Sequence, residues 1–127
     1  MTNLRVGVCE CPPELLPDSS AWDSFCRLVS RESPDLLLLN ELPFGSWISS
    51  GAAFERGVWE GSRAAHERGV EVLGQLGVPV VAASRPLELD GKRVNQGFIW
   101  TRATGLWGAH TKQYFPDEQG YYEARWF

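Results

Sequence analysis

The spacing of apolar residues changes along the chain and predicts strands and helices in alternation. Residues 4–9 alternate as in a strand, and the following Pro12 ends it because proline cannot donate to a sheet ladder. A helix capped by Ser19 or Ser20 comes next. Its apolar residues fall at positions i, i+3, i+4 and i+7, namely Trp22, Phe25, Cys26 and Val29. Beyond Pro34, the apolar run 35–40 predicts a strand buried on both faces.

The second part of the chain predicts one more helix and then three strands. A loop at 42–51 precedes a helix at 52–76, with Gly77 as its C-terminal glycine. The apolar stripe of this helix consists of Phe54, Val58, Ala65, Val72, Leu73 and Leu76. The strands cover 78–83, 94–101 and 106–111, and a turn at Asp90-Gly91 joins the first two of them. This order predicts an α/β layered fold with a mixed sheet.

Length and composition limit the classes of function. A chain of 127 residues fits one domain, and its net charge of −4 with no basic cluster argues against binding to nucleic acid. No apolar segment approaches the length of about 20 residues that crosses a bilayer, so no membrane association is expected. The first ten residues do not resemble a signal peptide. Reduced thiols at Cys9, Cys11 and Cys26 and a cytoplasmic location are therefore expected.

Two charged residues come directly after predicted strands, and a third lies a short distance beyond the last strand. Glu41 ends the apolar run, where burying a carboxylate costs free energy unless it has a hydrogen-bonding partner or a functional role. Lys112 comes directly after the fifth predicted strand, and Glu123 lies eleven residues further on. Glu118 is the alternative partner for Lys112, although Glu123 is favoured. Taken alone, Glu41 fits a solvated strand end equally well, and Lys112 fits an exposed surface.

Four short motifs together resemble the carbon–nitrogen hydrolase (nitrilase) superfamily. They are Asn40-Glu41-Leu42-Pro43-Phe44, Asn95-Gln96-Gly97-Phe98, Lys112-Gln113-Tyr114-Phe115-Pro116 and Glu123-Ala124-Arg125-Trp126-Phe127. The resemblance implies that residues 1–127 are a partial domain, the N-terminal half of an α-β-β-α sandwich with two helices on one face of a mixed sheet. The face that the other half would cover should then be apolar.

The resemblance also implies roles for the charged residues. Glu41 would be the general base, Lys112 would stabilise the oxyanion, and Glu123 would hold Lys112 and join the proton relay. The nucleophilic cysteine of the family lies beyond the second glutamate, whereas all three cysteines of this chain precede it. The isolated chain is therefore expected to be inactive, and the complete protein to be a homo-oligomer that needs no cofactor.

The expected substrate is a small molecule with an amide or carbamoyl group rather than a nitrile. Phe44, Trp47 and Tyr114 are candidate substrate-binding residues, although aromatic residues at such positions are also ordinary core. A non-catalytic binding or assembly module on the same fold is the alternative function.

A third class of function, metal or redox chemistry at the Cys9 and Cys11 thiols, lacks a second Cys or His pair nearby. His66 is predicted on the exposed side of its helix, and His110 in a strand.

Overall fold

The structure, a computed structural model, describes residues 3–13 and 15–127 as a five-stranded sheet packed against helices. The strands are β1 (Val6–Cys9), β2 (Leu36–Leu39), β3 (Val80–Leu89), β4 (Lys92–Thr101) and β5 (Gly105–Thr111). The helices are α1 (Ser20–Glu32), α2 (Arg56–Val72) and α3 (Glu123–Trp126), with short 3-10 turns at Ile48–Ser50 and Leu73–Leu76. The predicted α/β class is confirmed.

The sheet is mixed and its strands lie in the order of the sequence. Strands β1, β2 and β3 are parallel, and β3, β4 and β5 are antiparallel. The parallel pairs need crossovers, which α1 and α2 provide. Both helices lie on the same face, because residues of α1 and of the end of α2 share one buried cluster with Leu37, Val81 and Phe98 of the sheet. No helix among the described residues has the length and apolar character to span a membrane.

Helix α1 begins and ends at local signals that the sequence carries. The Ser19 hydroxyl accepts a hydrogen bond from the backbone N–H of Trp22 at 3.1 Å, so Ser19 rather than Ser20 is the N-cap. Ser33 ends the helix in a left-handed conformation, and its N–H bonds the carbonyl of Val29 at 2.8 Å. The buried face of the helix is formed by Trp22, Phe25 and Val29, as their spacing predicts.

Helix α2 differs from its prediction in its start and in its buried face. It begins at Arg56 rather than at residue 52. The predicted stripe is wrong at Val58, which is largely exposed, while the neighbouring Trp59 is fully buried. The predicted exposed position of His66 is also wrong. Its ring is buried, Nδ1 bonds the Ser62 carbonyl at 2.7 Å, and Nε2 accepts from the Phe44 N–H at 3.3 Å.

Acidification should destabilise the protein through His66. Burial lowers the pKa of His66 from 6.5 to about 4, so an unfolded chain takes up the proton first as the pH falls. The free energy of unfolding should therefore fall by about 3 kcal/mol between pH 6.5 and pH 4 and not change from this cause above pH 6.5. Urea unfolding at a series of pH values would measure this.

Two histidine variants separate this cause from other acid effects. His66→Gln should flatten the acid limb of the stability profile, and His110→Gln, which replaces an exposed ring on β5, is the matched control. An acid limb that persists in His66→Gln would contradict the assignment.

The β3–β4 hairpin is longer than the sequence predicts, but its turn is confirmed. Strand β3 continues to Leu89, and β4 begins at Lys92. Asp90 and Gly91 have φ angles of 50° and 73°, which are the left-handed conformations that a two-residue hairpin turn requires. The register of the ten paired residues on each strand is continuous, so this hairpin forms the centre of the sheet.

The second face of the sheet carries an apolar row that is partly or largely exposed among the described residues. We call this the open face and define it by one residue from each strand. These residues are Val8, Leu38, Ala82, Ile99 and Trp107. Val8 is 76% exposed and Leu38 is 43% exposed, whereas Leu37 and Leu39 on the helix side are buried. The prediction that the second strand is buried on both faces is therefore wrong at Leu38. An apolar uncovered face agrees with the expected half-sandwich.

Two glycines of α2 should respond in opposite ways to replacement by alanine. A Cβ at Gly69 would overlap the Phe44 ring, so Gly69→Ala should lower the free energy of unfolding by about 1–3 kcal/mol. Nothing lies within 4 Å of a Cβ at Gly61, so Gly61→Ala should raise it by about 0.5–1 kcal/mol through helix propensity. Chemical denaturation compares them, and equal midpoints would contradict the close contact.

Candidate active site

The ends of two strands and the start of a helix bring three charged side chains together. Glu41 follows β2 by two residues, Lys112 follows β5 directly, and Glu123 is the first residue of α3. The Lys112 ammonium donates to Glu41 Oε1 at 2.9 Å and to Glu123 Oε1 at 2.8 Å. The ammonium is thus held between two carboxylates from distant parts of the chain.

Lys112 keeps its charge in this position. Partial burial acts to lower its pKa, but hydrogen bonds to Glu123 and Glu41, together with their negative charges, outweigh burial and raise the pKa above its usual value. A fixed cation that stays protonated at neutral pH is the kind of group that can stabilise a developing oxyanion.

Glu123, and not Glu118, is the second partner of Lys112. Glu123 is 3% exposed, and the indole N–H of Trp126 on the same short helix donates to the carbonyl of Gly51 at 2.7 Å. Arg93 donates to the Trp126 carbonyl at 2.6 Å and so fixes this helix to β4. Glu118 instead forms a backbone bridge with Tyr121.

A β-bulge in β5 decides which face Lys112 occupies. Gly97 pairs with His110 and Phe98 pairs with Gly108, so Ala109 is an extra residue in β5. Side chains alternate along a strand, and one extra residue reverses the alternation beyond it. Trp107 before the bulge and Lys112 after it therefore share the open face. In a regular strand, residues five positions apart would lie on opposite faces.

The loop after Glu41 is held in an uncommon backbone conformation. Leu42 has a φ of 46°, in the left-handed region that a branched residue rarely adopts. Its side chain is buried, and its N–H donates to the Ser84 hydroxyl at 2.9 Å. Packing and this hydrogen bond offset the strain.

Asn95 belongs to this site, although it was not among the predicted site residues. It lies on β4, is 2% exposed, and its Nδ2 donates to Glu41 Oε1 at 2.6 Å. The motif at 95–98 was visible in the sequence. An asparagine in a strand does not by itself indicate a hydrogen bond to a carboxylate 54 residues away.

A cleft of about 410 Å³ lies beside these groups on the open face. Glu41, Asn95 and Lys112 form its charged end, and Leu38, Ala82 and Ile99 line its apolar end. No cysteine is among the described residues that line it. The cleft therefore combines a carboxylate with a cation, and none of its described lining residues supplies a thiol.

The three predicted substrate-binding aromatics do not line this cleft. Phe44 is fully buried and packs against Trp22 and the ring of His66 in the helix-side core. Trp47 is partly buried, and its indole donates to a backbone carbonyl at 3.3 Å. Tyr114 is 90% exposed, and its ring lies outside the cleft.

The cysteines are free thiols away from the cleft. Cys11 is buried, and burial together with the neighbouring Cys9 raises its pKa to about 12, which opposes a reactive thiolate. Among residues 3–13 and 15–127, no group of three metal-ligating side chains occurs.

Comparisons with solved structures identify the fold. A carbon–nitrogen hydrolase from Helicobacter pylori G27 matches 98% of this chain at 18% identity with a TM-score of 0.72, over 44% of its own chain. An amidase from Nesterenkonia sp. matches 94% at 17% identity with a TM-score of 0.59, over 47% of its own chain. No protein-family model and no curated protein sequence matched. The chain spans less than half the length of either structure, and it has the fold of the corresponding part of a carbon–nitrogen hydrolase.

Proposed function

We propose that this chain is part of a hydrolase that cleaves carbon–nitrogen bonds other than peptide bonds, in amide or N-carbamoyl substrates. The observation that carries the proposal is the Lys112 ammonium held between Glu41 and Glu123 at the charged end of the cleft. Such an arrangement combines a base with a fixed cation. Acyl transfer needs both of these groups within reach of one carbonyl carbon.

In this mechanism a cysteine thiol is the nucleophile and Glu41 moves the protons. A thiol has an ordinary pKa of about 8.5 and is mostly protonated at neutral pH, so a base must accept its proton. The carboxylate of Glu41 takes that proton as sulfur attacks the carbonyl carbon. It returns the proton to the leaving nitrogen when the carbon–nitrogen bond breaks. Glu41 then deprotonates a water, which cleaves the thioester to a carboxylic or carbamic acid and regenerates the thiol.

Lys112 stabilises the intermediate rather than moving protons. Negative charge develops on the carbonyl oxygen during attack, and a fixed ammonium stabilises this oxyanion more than it stabilises the neutral substrate. Glu123 keeps the ammonium in place from a buried position, at 2.8 Å. The ammonium does not reorganise during the reaction, because both carboxylates already hold it.

The nucleophilic thiol comes from polypeptide other than residues 1–127 and reaches the site across the open face. Cys9, Cys11 and Cys26 lie outside the cleft, and all three belong to or pack against the buried cluster on the helix side. The open face is apolar and contains the cleft, and its residues Val8, Leu38 and Trp107 are exposed, as expected of a surface that a further sheet covers. A non-catalytic assembly module is the second candidate, favoured by the same face, but it gives no use to the three converging charges.

The test is an activity assay of the full-length protein that contains residues 1–127. Purified protein should release ammonia or an amine from a panel of small amides and N-carbamoyl compounds, and iodoacetamide should abolish the release. The chain of 127 residues alone should show none. Absence of hydrolysis across the panel, or hydrolysis that survives complete alkylation of all thiols, would overturn the proposal.

A further inference from the structure

Two hydrogen-bond donors meet at one oxygen of Glu41. Asn95 Nδ2 donates to Oε1 at 2.6 Å, and Lys112 Nζ donates to the same atom at 2.9 Å. No described residue forms a hydrogen bond with Oε2 of Glu41. The two oxygens of this carboxylate are therefore not equivalent. Glu41 lines the cleft, and Oε2 is the oxygen of its carboxylate that no described donor occupies.

We propose that Asn95 is a positioning residue that fixes the Glu41 carboxylate, so that Oε2 is the atom that accepts and returns protons. The inference rests on the proposed function for its use in catalysis. Its structural part, the control of Glu41 by Asn95, does not depend on which substrate is cleaved.

Burial and charge make Asn95 suitable for this role. The side chain is 2% exposed, and the residue lies in β4 with neighbours on both sides. Its amide must present Nδ2 to Glu41, because the reversed amide would place its oxygen against a carboxylate oxygen. A neutral amide nitrogen can donate and cannot accept, so it occupies Oε1 and directs an incoming proton to Oε2.

Asn95 also ties the base to the cation through its backbone. The N–H of Lys112 donates to the carbonyl of Asn95 at 2.9 Å, directly beyond the end of β5. One residue thus sets the position of Glu41 with its side chain and that of Lys112 with its main chain. Ser84, another polar residue of the cleft, has a different role because its hydroxyl accepts from Leu42 N–H.

Two substitutions test the role in the full-length hydrolase. Asn95→Leu removes the hydrogen-bond donor but keeps a side chain of similar size. We expect kcat to fall about 10- to 100-fold with little change in KM, because the orientation of the Glu41 carboxylate is lost while substrate binding is kept. Asn95→Asp places a second carboxylate against Oε1, so the two groups share a proton and the acid limb of the kcat/KM profile should move up by about one pH unit or more. Gln113→Ala, next to Lys112 but exposed, should change neither.

A titration without substrate separates this inference from the proposed function. The carboxyl carbon of Glu41, observed by NMR as the pH is varied, should titrate at higher pH in both Asn95 variants than in the parent protein. If the protein hydrolyses no amide but the shift is present, the proposed function fails and the positioning by Asn95 stands. An unchanged titration of Glu41 in both variants, or a kcat within twofold of the parent in Asn95→Leu, would overturn the positioning role.

Discussion

Replacing Glu41 with glutamine in the full-length protein should lower kcat of the proposed hydrolysis by about 10²- to 10⁴-fold, the range typical of a lost general base. Glutamine has nearly the same shape, and its amide oxygen can still accept from Asn95 and Lys112 in the place of Oε1. The amide cannot take up the thiol proton, so the loss should appear in kcat with KM largely unchanged. Initial rates of ammonia release measure it.

Glu118→Gln is the matched control for this variant. It removes the same charge from an exposed carboxylate whose backbone pairs with Tyr121. Its activity should equal that of the parent protein. A Glu41→Gln enzyme with more than a tenth of the parent activity would show that Glu41 is not the base.

Replacing Lys112 with methionine should lower the free energy of unfolding by about 3 kcal/mol at neutral pH. Methionine keeps most of the aliphatic side chain but leaves the Glu123 carboxylate buried without its ammonium partner, at 3% exposure. Breaking a buried ion pair on one side costs about 3–5 kcal/mol. The lower figure applies because Lys112 itself is partly exposed. Urea denaturation of the 127-residue chain measures the change without an assay of activity.

The double variant Lys112→Met with Glu123→Gln identifies the cause. Removing both charges should restore most of the lost stability, because a neutral side chain then occupies the buried position. The loss in the single variant should also shrink on acidification, since the buried carboxyl can then take up a proton. A double variant as unstable as Lys112→Met would show that lost packing, and not an unpaired charge, is responsible.

The element order and the charged triad could be predicted because their signals are local in the sequence. Apolar periodicity places α1 and β2, and the Asp90-Gly91 turn fixes the hairpin between β3 and β4. The motifs around Glu41 and Lys112 indicate that their side chains belong to one site, and the structure places them 2.9 Å apart. Their catalytic roles stay predictions until the variants above are measured.

The parts that the sequence did not predict depend on tertiary contacts. His66 reads as a polar helix residue, yet it is buried because its two ring nitrogens meet the Ser62 carbonyl and the Phe44 N–H. Phe44 follows Glu41 closely in the sequence but turns into the core, where Gly69 leaves room for its ring. The bulge at Ala109 has no local signal, and without it the alternation of β5 would point Lys112 toward the helices.

The mixed topology of the sheet has a consequence for the order in which the site assembles during folding. The hairpins β3–β4 and β4–β5 join neighbouring segments, whereas the parallel pairs enclose whole helices and close much longer loops. Short loops close at lower entropic cost, so the hairpins should form early and already hold Asn95 beside Lys112. Glu41 joins only when β2 docks, and the ammonium remains hydrated until a carboxylate arrives to replace that water.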